Sequence, residues 1–433
     1  MYIEQTGEMK RHLAHLVLVC YAFCCPWFYR IVTIGDNSLC FSDILLPVGL
    51  ASIVLVARRD PPLVLLPLVG LPAVCLISIL KYVDSSEFAP LALKTVRLAG
   101  VVCPAILACF LAPTGSEART HLKAFFWGGL VGLWIGIVGF YLAWAPTQAV
   151  QTFDYGNGAP TPRAGGLFQE SGALGYLAAS WCVLSLLLLR PLLGAVSRVL
   201  LLTVVGVTTA LTLYTSMSRS ALTDLLAAAL VYVIATGMLG NWKKVVALIA
   251  VAALVSLIWF WAGGMPADLT YRYRSGIERF GSVFLIQTGP SDLDAASSNR
   301  LQHWRTCFDL WTQDPFVGIG YKTAFAVHGA SADNMFLSSL FETGVPGLAL
   351  LVFFHAWVVT RSVATARISA RVGAALLAVW TGQIVHGVTA DTWTYFGTAP
   401  ALLLITVGIM SSIEARRNRS TETEMAGAEW VAC

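Results

Sequence analysis

Runs of apolar residues long enough to cross a lipid bilayer recur along almost the whole of this sequence, and nothing else about it restricts its fold as severely. A helix of about 20 apolar residues crosses a hydrocarbon core about 30 Å thick. Such runs occupy 12–29, 39–57, 61–81, 90–112, 124–145, 170–189, 197–215, 221–239, 245–262, 334–359, 372–390 and 396–412. Inside a bilayer no water satisfies backbone N–H and C=O groups, so a spanning segment must be a helix or part of a closed barrel. A barrel would alternate apolar and polar residues over short stretches, and these runs do not. The expected fold class is therefore all-α: a polytopic membrane protein with about twelve transmembrane helices and a large periplasmic loop carrying short helices. Charged residues make up only 12% of the chain, against about 25% in soluble domains.

The placement of basic residues predicts an orientation. With the N-terminus in the cytoplasm, the inner segments hold Lys10, Arg11, Arg58, Arg59, Arg119, Lys123, Arg190, Arg198, Lys243, Lys244, Arg361, Arg367, Arg371, Arg416, Arg417 and Arg419. The short outer loops hold almost none, as the positive-inside rule requires. This predicts a bacterial inner-membrane protein with both termini cytoplasmic. The first run is read as a retained span, because Cys25, Pro26, Trp27 and Phe28 stand where a signal peptide would need a small-residue cleavage site. The chain divides into N-terminal spans over 1–145, central spans with a first outer loop over 146–262, and a large periplasmic loop over 263–333. The C-terminal spans occupy 334–412 and a cytoplasmic tail 413–433. No internal repeat suggests a paired-halves transporter.

Several function classes find no support. No Lys/Arg-rich block marks a nucleic-acid partner. The ten cysteines form no CxxC pair and lie mostly inside apolar runs, where Cys acts as a small hydrophobe. No metal site is expected. Gly318-Ile319-Gly320 lacks the strand–turn–helix context of a nucleotide fingerprint, and no nucleophile triad or phosphate loop is present.

What remains is an excess of outer cationic side chains. Arg163 precedes the sixth run, Arg219 lies at the outer end of the seventh, and Arg300 and Arg305 flank Trp304 at the start of an amphipathic helix in the large loop. Lys94 and Arg97 share a face near the outer end of the fourth run. Guanidinium groups bind phosphate oxygens in bidentate fashion, so such a ring suits a membrane-embedded diphosphate; each arginine alone could equally snorkel to the headgroups. Asp333 stands where the loop re-enters the membrane and could accept a proton from a hydroxyl. Asp333 or Asn334 could also simply cap the following helix. Gly344-Val345-Pro346-Gly347 should break that helix, and backbone freed inside a membrane must be buried in protein or line a cavity. Glu342, just before the break, is expected to face the protein interior. His303 and His328 are solvated-loop residues on this reading, and His355 and His386 are expected to make interhelical hydrogen bonds. Asp391 and the aromatic run after it fit an outer interface.

The order of these features resembles the O-antigen ligase and polymerase superfamily of bacterial polysaccharide assembly. The likeness rests on Arg163-Ala-Gly-Gly-Leu-Phe, Ser218-Arg219-Ser220, Asn299-Arg300-Leu-Gln-His-Trp304 with Asp314-Pro315-Phe-Val-Gly318-Ile-Gly320, and Asp333-Asn334-Met-Phe-Leu with Glu342-Thr-Gly344-Val-Pro-Gly347. It covers residues 160–350 strongly. It implies a metal-independent glycosyltransferase without a cofactor, whose partners are an undecaprenyl-diphosphate-linked glycan, the lipid bilayer and a chain-length regulator. By matching position, Arg163 and Arg300 would hold the diphosphate, with Arg219 in support and Asp333 as the catalytic carboxylate. Arg305, Lys94, Arg97, His328, Asn334 and Glu342 would complete substrate binding. Family ligases resemble His-Asn where this chain has Asp333-Asn334, which favours a polymerase of O-antigen, capsule or exopolysaccharide over a ligase. His328 could replace the missing histidine from five residues upstream. A lipid-linked-oligosaccharide flippase is the lesser alternative, since ionisable residues within the runs are few.

Overall fold

The computed structural model describes residues 2–26, 32–34, 37–56, 63–144, 148–151, 161–168, 170–192, 194–216, 218–237, 300–329, 332–392 and 398–422. The helices are α1 (Tyr2–Cys24), α2 (Phe41–Val56), α3 (Leu65–Ile79), α4 (Phe88–Leu111), α5 (Gly115–Tyr141), α6 (Ser171–Leu184), α7 (Ala195–Ser216) and α8 (Arg219–Ala235). From residue 300 onward come α9 (Arg300–Trp311), the short α10 (Thr323–Ala326), α11 (Met335–Ile368), α12 (Ala370–Thr389) and α13 (Thr398–Glu422). Among the described residues, seven helical segments are long and apolar enough to cross a membrane, and Phe41–Val56 and Ser220–Ala235 are shorter apolar helices. The protein is thus a multi-pass membrane protein. The expected ninth run, 245–262, lies outside the described residues.

The surface follows from the solvent. Leu50, Val54, Leu66, Val69, Val196, Val199, Leu226 and Leu230 are exposed along helices, a pattern that would be costly in water and is neutral against lipid tails. The interior is a continuous apolar cluster that includes Leu18, Tyr21, Leu107, Phe125, Leu174, Trp181, Phe354 and Leu404. Within it the Trp181 indole donates to the Phe126 carbonyl at 2.8 Å, because an N–H buried there needs a partner. α4 packs against α2, α3 and α13, and α12 against α8 and α11.

Departures from the sequence expectation are local. Two antiparallel hairpins interrupt the all-helical fold: β1 (Val32–Ile34) with β2 (Asn37–Leu39), and β3 (Gln148–Gln151) with β4 (Thr161–Ala164). The first outer segment is thus partly ordered by strand pairing, with Arg163 opposite Ala149. The sixth run is α-helical only to Leu184 and finishes in a π-helical turn over Ser185–Leu189. α11 continues to Ile368, beyond the expected 359, and is broken at Gly344, whose φ of 70° and ψ of −169° are non-helical.

Candidate functional site

The break in α11 organises the candidate site. Pro346 has no N–H, so the Glu342 carbonyl loses its normal helical donor, and the turn at Gly344 also frees the Phe341 carbonyl. The segment 314–322 lies across the gap. Ile319 N–H donates to the Phe341 carbonyl at 2.8 Å, Gly320 N–H to the Glu342 carbonyl at 3.0 Å, and Val345 N–H to the Pro315 carbonyl at 3.0 Å. This closeness requires glycine on both sides. A Cβ on Gly344 would lie 2.2 Å from the Phe316 carbonyl oxygen, and one on Gly318 (φ 77°) 2.6 Å from the Gly344 nitrogen. The Asp-Pro-Phe-Val-Gly-Ile-Gly and Glu-Thr-Gly-Val-Pro-Gly motifs are therefore two halves of one backbone joint.

The end of α3 clamps the joint from the other side. The Lys81 ammonium donates to the Gly318 carbonyl and lies 3.7 Å from Asp314. The Tyr82 hydroxyl donates to the Ile319 carbonyl at 2.8 Å, and Tyr321 N–H donates to Ser78 Oγ at 3.0 Å. His328, exposed nearby, is held below its usual pKa by partial burial and by the charge of Lys81.

Charged side chains from distant parts of the chain meet beside this joint. Lys322 pairs with Asp391 at 2.7 Å. Glu342 is buried, at 5% exposure, and its charge acts on Lys322. Lys94 in α4 faces both Lys322 and Glu342, and Glu170, at the start of α6, also acts on Lys322. Burial alone would lower the Lys322 pKa, but Asp391 and then Glu342 outweigh it and raise it, so the ammonium stays charged. Lys322 has a φ of 60°, a left-handed conformation that costs a non-glycine residue about 1 kcal/mol and concentrates at functional sites. A cavity of about 40 Å³ opens between these groups, lined by Glu342, Asp391, Tyr321, Ser338, Ser339 and Thr343 with apolar residues including Leu71 and Leu98. That is room for water or a hydroxyl group and too little for a sugar ring.

α9 completes the arrangement. Cys307, Ile319, Ala324, Ala332 and Phe341 form a small apolar core of their own, in which burial and the nearby Glu342 charge push the Cys307 thiol up to about 11. The Trp304 indole donates to the Ala332 carbonyl. Trp304 is one turn from Arg300 and Ala332 is next to Asp333, so the start of α9 is tied to the re-entry point.

Among the residues singled out by sequence, Asp333 is exposed, with a φ of 42°, at that re-entry. Arg305 is exposed on α9, and Arg163 is half-buried in β4, which packs on α5, α6 and α7. Arg219 and Arg300 begin α8 and α9, but their side chains lie outside the described residues. Glu342 faces the interior as expected. Two of the residues expected to bind substrate have partners within the protein. Arg97 is buried against Asp43 of α2 at 3.3 Å. Asn334 is the helix cap: its Oδ1 accepts from Phe336 and Leu337 N–H at 2.9 and 3.0 Å, and its Nδ2 donates to the Val388 carbonyl at 2.9 Å.

Sequence reasoning missed Lys322 and undervalued Asp391. It also missed Asp224, buried in α8 and 3.3 Å from His386 Nδ1 of α12, with Gln383 Nε2 reaching both Asp224 and Ser180. His386 thus bonds between helices as expected, whereas His355 bonds within its own helix, to the Leu351 carbonyl at 2.8 Å. A lone Asp within an apolar run was the available signal.

Comparison with known proteins agrees with this architecture. No curated protein matches the chain. Residues 204–352, which contain α8, α9, the joint and the Asp333 re-entry, match the family model described as O-Antigen ligase.

Proposed function

We propose that the protein is a glycosyltransferase of the bacterial inner membrane that polymerises undecaprenyl-diphosphate-linked oligosaccharide repeat units of O-antigen, capsule or exopolysaccharide on the periplasmic face. The observation that supports this reading is the tie from Trp304, one turn after Arg300, to the carbonyl of Ala332, the residue before Asp333. In the reaction the oxygen of an acceptor hydroxyl attacks the anomeric carbon of the donor. The bond from that carbon to the diphosphate oxygen breaks, and its electron pair leaves with the diphosphate. Arg163 and Arg300, supported by Arg219, Arg305 and Lys94, bind the growing negative charge and so stabilise the transition state more than the ground state. An acidic side chain receives the hydroxyl proton. Asp333 and Glu342, on either side of the first turns of α11, are the carboxylates we assign to this role.

Arg300→Ala tests the reading in a host whose polymer depends on this chain. Long polymer should vanish while the membrane level of the protein stays unchanged and single repeat units remain on the carrier or final acceptor. Undiminished long polymer rejects the proposal. The description of the matched family favours a second reading, transfer of finished glycan to another acceptor; full-length glycan stranded on the carrier would select it.

A further inference from the structure

The two carboxylates differ in their surroundings. Asp333 is exposed, so water competes for it. Glu342 is buried and borders the cavity, with Ser338 one turn earlier on the same face of α11 and Ser339 and Thr343 beside it. The chain maintains this placement against cost. Gly344 leaves the helix, and Lys322, whose charge faces Glu342, adopts a left-handed backbone. The cavity accepts a hydroxyl but not the ring that bears it.

We infer that Glu342 takes the proton of the acceptor hydroxyl, which enters the cavity beside Ser338, Ser339 and Thr343 while its sugar stays at the mouth. The inference rests on the glycosyl-transfer reading and deepens it. As the hydroxyl oxygen bonds to the anomeric carbon and the diphosphate departs with the electron pair of the broken bond, the O–H proton passes to a Glu342 carboxylate oxygen. It then passes to water at the cavity mouth, restoring the carboxylate. Lys322 is then a positioning residue, holding Asp391 and the re-entrant backbone against Glu342.

The test uses the full chain in lipid nanodiscs with a synthetic polyprenyl-diphosphate oligosaccharide. Glu342→Gln should lower kcat by about 100-fold or more, the scale of general-base catalysis, with donor KM changed by less than about three-fold. Asp333→Asn should lose less than Glu342→Gln. The double variant Lys322→Gln/Glu342→Gln separates a base from a counter-ion: it should stay as inactive as Glu342→Gln alone. Recovery in the double variant, near-normal kcat in Glu342→Gln, or a larger loss in Asp333→Asn each overturns the inference. Where the glutamine variant does not fold, Glu342→Asp decides, with a loss of at least about ten-fold in kcat expected and full activity overturning it. An inactive wild-type protein would instead reject the glycosyl-transfer reading, and this inference with it.

Discussion

Around Gly344 the buried polar groups are backbone carbonyls left over from a broken helix, and a second backbone segment fills them. Between α8 and α12 the buried polar groups are side chains, and Asp224, His386, Gln383 and Ser180 fill one another. Both satisfy the rule that polar groups inside a membrane protein need partners, yet they constrain it differently. Backbone pairing demands glycine and a fixed path, because the chains approach too closely for a side chain. Side-chain pairing demands only that two helices present complementary groups at one level. The first therefore fixes a backbone path residue by residue, whereas the second fixes how α8 and α12 pack.

Gly344→Ala attacks the backbone joint and should have the largest effect. It places a Cβ 2.2 Å from the Phe316 carbonyl oxygen in a conformation that only glycine adopts readily, a cost of ~3 kcal/mol or more. Thermal unfolding in detergent should show a large drop in midpoint together with loss of transfer activity. An unchanged midpoint would mean that segment 314–322 does not lock onto the break. The side-chain cluster predicts a smaller effect, read from a double-mutant cycle. Asp224→Ala and His386→Ala should each destabilise, with a coupling energy of ~1–3 kcal/mol between them. Strict additivity would show that the contact at 3.3 Å contributes nothing. Smallest is Asn334→Ala, which removes the cap of α11 and should cost ~1 kcal/mol. If it abolished activity while stability fell no further than that, Asn334 would have a role in binding beyond the cap.

Much of the joint was legible beforehand. Gly344 and Pro346 read as a helix break, Asn334 as one of two possible caps, and Glu342 as an inward-facing residue, because each of these is decided by a few neighbouring residues. The Lys322–Asp391 pair was not legible. Its members are 69 residues apart, and Asp391, placed next to an aromatic run, had an adequate explanation as an interface residue. Arg97 misled for the same reason. Its spacing from Lys94 describes one face of α4 correctly, but its partner, Asp43, lies on another helix.

The sequence by itself determined that the chain is built of apolar membrane helices and where one of them breaks. Those properties follow from bilayer thickness and from hydrogen bonds that reach only four residues along the helix. Only the tertiary structure decided which charges meet: Lys322 with Asp391 and Glu342, Arg97 with Asp43, Asp224 with His386. Hydropathy places every helix in the same slab of lipid and says nothing about which helix stands next to which. The charge cluster beside the joint depends on that neighbourhood, set by the packing of α3, α4, α11 and α12.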